Sequence, residues 1–503
     1  MYAIVIVTAA NYSTLNWPHK SNRRLEFPLD FKVQISQYFS IAVILTICLF
    51  GRNGYIVYCE RKQSFMMLLS ILFGIMVISI SAVVTSSAAF GQESQLPQVS
   101  DPDLTVEQVA EGLTDPTTMG FLGDDDILVL EKAGTVQRIG NDGLLDEQIL
   151  TVNVDDEDER GLLGIEVVPN DNGTSPYVFL SYTENVANTS DGQEEVRTRL
   201  YRYEFQNNEL INPKLLLDLP ADPGSAHNGG VISIGPDDNI YLTLGELIRT
   251  DYARDDFDTQ AQNYENGKKP DGRGGILRVS QDGEIVQPSI LGDEHPLDMY
   301  YAYGIRNSFG IDFDPITGNL WDTENGPSFG DEINLVEPGF NSGWAKVAGI
   351  NEVIEDIEVD TGDNEEKRKI SKGKEILSTP DGLVDFNGNG KYSPPELSGR
   401  FIPTQILFFN SSKLGEEYSD DVFVATVGGT IYRFELNPDR TNLLLKGALS
   451  NQTDVDETDL EDVIFAQGFG IITDIEEGPD GYMYVVSGVR EDNGKVHRIT
   501  PSL

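Results

Sequence analysis

Two short phrases recur along this chain, and they constrain its fold more than any other feature. One reads "GTVQRI" from Gly134, "RLYRYEF" from Arg199, "GGILRV" from Gly274, "GTIYRF" from Gly429 and "GKVHRI" from Gly494. The other is a turn followed by an aromatic-rich strand: "GPDDNIYLTLGE" from Gly235, "DPITGNLWDTEN" from Asp314 and "GPDGYMYVVSG" from Gly478. Between them lie short β-rich runs broken by Gly, Asn, Asp and Pro, with almost no helical periodicity, so the chain is all-β. A repeat of roughly 65 residues is the length of a small sheet that cannot bury both faces alone and must stack on its neighbours. Roughly 400 residues at that spacing give a six-bladed β-propeller; a pair of β-sandwiches is the competing architecture.

Upstream of the repeats the composition changes. Arg61 and Lys62 precede an uncharged, mostly apolar run from Gln63 to Gln92 that ends in small residues. This has the shape of a signal peptide or an uncleaved membrane anchor, and the one-sided basic flank leaves the C-terminal bulk outside the cytoplasm. The domain reading is therefore an N-terminal extension over 1–64, with Met66 or Met67 as an alternative start, then the signal or anchor over 65–92. A linker over 93–104 and the propeller over 105–503 follow. Localisation is extracytoplasmic, secreted or anchored, with membrane contact through the N-terminal segment only. Both cysteines, Cys48 and Cys59, fall in the extension, so the repeat region uses no disulfides. The chain carries 82 acidic against 36 basic residues, a net charge of −46. A field of that sign excludes nucleic-acid binding and favours cations.

In a propeller, the loops before the innermost strands converge at one end of the central channel. Three such loops carry charge among glycines: "DDEDERGLLGIEVV" with Glu159, "GSAHNGG" with His227, and "YAYGIRNSFGIDF" with Arg306. A histidine between small residues lies where the backbone turns tightly and approaches something closely. Separately, "DFNGNGKYSPPE" matches the spacing of a calcium loop, with Asp385, Asn387, Asn389, the Lys391 carbonyl and Glu396 at ligand positions. The same residues also suit an Asn/Gly-rich turn, and the two prolines exclude a normal exiting helix.

These segments resemble the glucose/sorbosone dehydrogenase family, soluble sugar dehydrogenases dependent on pyrroloquinoline quinone (PQQ). The resemblance covers about residues 105–501, and its most specific piece runs from "YAYGIRNSFGIDF" through "ENGPSFGDEINLV" to "GWAKVAG". It implies a six-bladed propeller that oxidises an aldose or related sugar or alcohol and passes electrons to an acceptor the sequence does not identify. It implies His227 as general base and Arg306 as the group steadying charge on the reduced quinone. Glu159, Asn307, Asn325, Gly326 and Pro327 would contact the cofactor, and Gly326, Pro327 and Asp331 would form its calcium site. Three positions depart from the family. PQQ carries three carboxylates, which the family clasps with a lysine and two arginines; here those places hold Val427, Ile471 and Thr473. Lys346, Arg249 and Lys413 are candidate substitutes. A non-catalytic propeller that binds a glycan or a protein is the alternative reading, and a calcium-dependent lactonase or other hydrolase is a third class.

Overall fold

The computed structural model describes residues 96–169, 175–186, 195–248, 259–359, 368–375, 380–451, 455–490 and 493–502. The apolar run, its basic flank, both cysteines and Arg249 lie outside these residues. The described residues contain strands and one-turn 3₁₀ segments, and none of their helices is long and apolar enough to cross a membrane.

Six sheets of four or more strands carry the fold. Their innermost strands are Pro116–Gly123, Leu162–Val168, Ile232–Ile234, Ser308–Phe313, Pro403–Phe409 and Ile472–Glu477, and the sheets are numbered one to six in that order. Each innermost strand lies beside the next, and the sixth lies beside the first. The recurring phrases now have places. The aromatic phrase is the second strand of its sheet (Ile240–Leu244, Leu320–Glu324, Met483–Ser487), and the Arg-containing phrase is the third (Thr135–Gly140, Glu195–Gln206, Gly275–Val279, Thr430–Phe434, Gly494–Pro501).

Second strands are buried along their whole length, because neighbouring sheets cover both faces. The core is accordingly divided into layers between sheets. Leu128 and Leu130 of sheet one meet Leu162, Val178 and Leu180 of sheet two, and Phe179 and Leu200 meet Leu242 and Leu277 of sheet three. Tyr241 and Ile276 meet Ile311 and Leu320 of sheet four, and Trp321 and Ile333 meet Ile406 and Val424 of sheet five. Phe423 and Ile431 meet Ile475 and Val485 of sheet six. The sixth layer closes the circle, with Tyr484 and Val486 on Met119 and Val129 of sheet one. An all-β propeller is the result. At about 25 cal/mol per Å² of buried apolar surface, this repeated layer is the main stabilising term.

The circle is latched by strand Leu104–Leu113, which pairs antiparallel with Gly494–Pro501 and completes sheet six from the other end of the chain. The segment expected as a linker also takes part, since Gln98–Val99 pairs with Ile464–Gln467 at the edge of sheet five. An added three-stranded sheet, Val347–Ala348, Asn351–Val359 and Arg368–Glu375, follows sheet four's third strand.

Candidate active site

In an antiparallel sheet, the start of the first strand and the loop between the second and third emerge at the same end. All six sheets use that end to line one cavity of about 580 Å³. The loops or starts of the first strands supply Asp115 and Thr117, Glu159, His227 and Gly229, Arg306 and Asn307, Ile402 and Thr404, and Ile471 and Thr473. Loops between second and third strands add Lys132, Asn325 to Ser328, Val427, Val489 and Arg490. The convergence expected of Glu159, His227 and Arg306 is thus present. Asn307, Asn325, Gly326, Pro327 and Asp331 line the same cavity.

His227 is 5% exposed and has φ of +60°, the left-handed region. A residue so placed persists only when its surroundings over-determine it. Here they do. The His227 N–H donates to Glu159 Oε2 at 2.6 Å, while the Glu159 N–H donates to the Ser225 carbonyl at 3.0 Å. The Arg160 guanidinium holds the Ala221 and Gly224 carbonyls at 2.6 and 3.2 Å. Gly245 completes the arrangement, because a Cβ there would lie 2.2 Å from the His227 carbonyl oxygen and 2.6 Å from that of Arg306. Only glycine lets those two loops close on the end of strand Ile240–Leu244.

The imidazole is oriented by a residue the sequence reading missed. His227 Nδ1 lies 3.1 Å from Glu246 Oε1, both side chains buried, and Glu246 Oε2 accepts from Trp344 Nε1. With Nδ1–H donated to that carboxylate, Nε2 is left as the free acceptor. Glu246 is the last residue of "IYLTLGE", and an acid after a glycine at the end of a wholly buried strand was its available signal.

Arg306 lies beside it, 7% exposed. Its N–H donates to Glu324 Oε1 at 2.6 Å, its Nη1 donates to the Asn325 carbonyl at 2.7 Å, and the guanidinium sits 5.4 Å from the Trp344 ring centre. Burial pushes its pKa below the ordinary arginine value, while Glu246, Glu324, Glu159 and Asp331 push it back up. Arg306 Nε, Asn307 Oδ1 and Asn325 Oδ1 are buried without a protein partner. Three unpaired polar atoms at one cavity suit a polar ligand, since leaving each unpaired costs about 1–3 kcal/mol.

The Gly326–Pro327 step is shaped by close approach. A Cβ on Gly326 would lie 2.0 Å from the Phe329 carbonyl oxygen. Asp331, expected as a metal ligand, braces this loop. One of its oxygens accepts from Gly326 N–H at 2.9 Å, and the other accepts from Phe401 and Ile402 at 2.9 and 2.8 Å. The second calcium motif begins as a compact turn, with Gly388 and Gly390 N–H donating to the Asp385 carbonyl at 3.1 and 2.8 Å, and its residues have partners of their own. Asp385 Oδ1 accepts from Asn387 N–H, Asn389 reaches the Leu291 carbonyl, and Lys391–Tyr392 pairs with Phe340–Asn341 of sheet three. Glu396 instead turns toward sheet five, where its carboxylate accepts from Asn442 Nδ2 at 2.8 Å. Among the described residues no group of three or more His, Cys, Asp or Glu side chains is arranged to hold a metal.

The departures stand where the resemblance put them. Val427, Ile471 and Thr473 line the cavity, joined by Ile402, Ile472 and Val489 in a largely apolar wall. The substitutes considered from sequence are elsewhere: Lys346 Nζ donates to the Gly382 carbonyl, and Lys413 belongs to a turn on Ser411. The cations that do line the cavity besides Arg306 are Lys132, Arg400 and Arg490.

The glucose/sorbosone dehydrogenase family model matches residues 113–389. The chain belongs to this family. It is 31% identical to quinoprotein glucose dehydrogenase B of Acinetobacter calcoaceticus over 51% of this chain and 55% of that one. It is 24% identical to an aldose sugar dehydrogenase of Escherichia coli over 79% of this chain and 93% of the other. The PQQ-bound aldose sugar dehydrogenase of Streptomyces coelicolor shares the fold, with a TM-score of 0.54 at 19% identity, covering 81% of this chain and 100% of that one.

Proposed function

We propose that this protein is an exported six-bladed quinoprotein that oxidises an aldose or a related hydroxyl compound with PQQ and calcium. The observation that carries the reading is the buried His227–Glu246 pair, opening with Arg306 onto a cavity large enough for a tricyclic cofactor. When bound, PQQ would supply the two-electron acceptor, and calcium at the Gly326 and Pro327 carbonyls would polarise it. The protein's own part is proton transfer and placement. His227 Nε2 accepts the substrate's hydroxyl proton as hydride leaves the adjoining carbon, and Glu246 steadies the imidazolium that forms. Arg306 presents positive charge, while Asn307 and Asn325 offer unpaired carbonyl oxygens to the ligand.

The apolar wall at Val427, Ile471 and Val489 favours a second reading, a propeller that binds a glycan or protein partner and does no redox chemistry. One experiment separates them. Purified protein is loaded with PQQ and calcium and mixed with aldoses and a redox dye. Sugar-dependent dye reduction that falls about 10²- to 10⁴-fold in His227→Gln supports the enzyme. Cofactor binding without turnover, or no binding, supports the binding module.

A further inference from the structure

We infer that the cavity takes a planar aromatic ligand bearing carboxylates, and that Lys132, Arg400 and Arg490 hold those carboxylates in place of the cations missing at Val427, Ile471 and Thr473. The inference deepens the reading above and rests on it for the identity of the ligand.

The argument starts from loop position. The loop between the second and third strands opens on the cavity in sheets one, five and six. In sheet five that loop carries Val427, which offers no charge. In sheet six it carries Arg490, and in sheet one Lys132, so positive charge reappears at the same structural position on the next two sheets round the circle. Arg400 comes from the other side, as the last residue of strand Leu397–Arg400 in sheet four. It stands opposite Asp456 in the parallel pairing of Leu397–Arg400 with Val455–Asp456.

Local geometry fixes two of the three. Arg490 has φ of +65° and donates its N–H to Asp115 Oδ1, and Asp115 itself has φ of +44°. Two non-glycine residues in the left-handed region, locked to each other across the seam between sheets six and one, mark a backbone held by its surroundings. Lys132 is tied to the same point, since its N–H donates to the Asp115 carbonyl at 2.9 Å and its Nζ donates to the Asp156 carbonyl.

The acids of the lining are turned to other work. Asp115 accepts from Arg490 N–H, Asp158 from Ser225 Oγ, Glu159 from His227 N–H, and Asp331 from three backbone N–H groups. Glu457 is the remaining lining acid. In a chain with 36 basic residues against 82 acidic ones, four cations, Lys132, Arg306, Arg400 and Arg490, stand around one cavity beside these five acids, four of which are already hydrogen-bonded. Between them Ile402, Val427, Ile471, Ile472 and Val489 form an apolar face suited to an aromatic ring. Cations and apolar surface on one cavity suit a flat polycarboxylate better than a neutral sugar alone.

The test is binding by the full chain, read by calorimetry and by quenching of tryptophan fluorescence. Two probes are used: PQQ with calcium, and benzene-1,3,5-tricarboxylate, which is planar and trianionic but cannot be reduced. Arg400→Gln and Arg490→Gln should each weaken both probes about tenfold, and the double variant roughly a hundredfold, with a shallower dependence on salt. Lys132→Gln should behave as the other single variants do, Lys413→Gln should change nothing, and melting curves should confirm that each variant is folded. If the double variant binds PQQ as tightly as the parent, the inference is overturned and the proposed function stands. If the parent binds the tricarboxylate through these residues but not PQQ, the inference stands and the proposed function is lost. If the parent binds neither, both are overturned.

Discussion

Glu246→Gln is the substitution that most directly tests how the site works. Glu246 is 5% exposed, its Oε1 lies 3.1 Å from His227 Nδ1, and its Oε2 accepts from Trp344 Nε1. Its own N–H donates to the Arg306 carbonyl at 2.9 Å, so the backbone stays tied whatever the side chain becomes. Glutamine keeps the shape and one carbonyl acceptor but removes the charge that steadies an imidazolium. A hydrogen bond to a charged group contributes about 1.5–3 kcal/mol. At about 1.4 kcal/mol per factor of ten, turnover should fall by roughly 10- to 150-fold. As Glu246 acts on the transferred proton through His227, the double variant with His227→Gln should be little slower than His227→Gln alone. The assay is steady-state dye reduction with protein saturated in PQQ and calcium, with melting curves as the control for folding. Turnover within threefold of the parent, or additive losses in the double variant, would refute the dyad.

Three further expectations follow from the structure. Burial first, then Asp312 and Asp474, raise Glu166 to about 8, and burial raises Asp312 to about 7 and Asp474 to about 6. These folded values exceed the unfolded carboxylate range of about 4, so the native state holds more protons and stability should fall from about pH 4.5 to 8 and level above; Glu166→Gln should flatten the fall in melting temperature, and equal slopes would count against it. Glu396→Gln should leave calcium-dependent stabilisation unchanged in thermal melts, since that carboxylate already serves Asn442, and its loss would restore a calcium loop at Asp385 to Glu396. A reporter active only in the cytoplasm, fused after Gln95, should be silent, because Arg61 and Lys62 flank the apolar run on one side; activity there would disprove export.

What the sequence disclosed, and what it hid, has a physical pattern. The two phrases were legible because second strands are covered on both sides and so apolar and aromatic, while third strands alternate buried with half-buried positions in a fixed rhythm. His227 and Arg306 were legible because glycines around them mark close backbone approach. Glu246 was hidden, since an acid following a strand looks like ordinary surface charge until the turn beneath Arg306 is seen. Arg490 was hidden more thoroughly: its bond to Asp115 spans 375 positions in the chain and exists only because the circle closes. The calcium-loop spacing from Asp385 to Glu396 is local, but the pairing of Lys391–Tyr392 with sheet three and the bond from Asn442 to Glu396 are tertiary and leave no mark in the spacing.

The buried acids behind Arg306 decide what charge the cavity presents. Ser342 Oγ lies 2.7 Å from Glu324 Oε2 and 3.0 Å from Glu332 Oε2. The Ser342 hydroxyl is the donor to both carboxyl groups, so the two glutamates share one hydrogen-bond partner. Burial opposes that bond and dominates, raising Glu324 well above the ordinary range and Glu332 to about 7. A protonated acid behind the guanidinium no longer cancels its charge, whereas two carboxylates would make the ground beneath the site strongly negative. Raised carboxyl values behind Arg306 thus let its guanidinium keep a positive charge at the cavity in so acidic a chain.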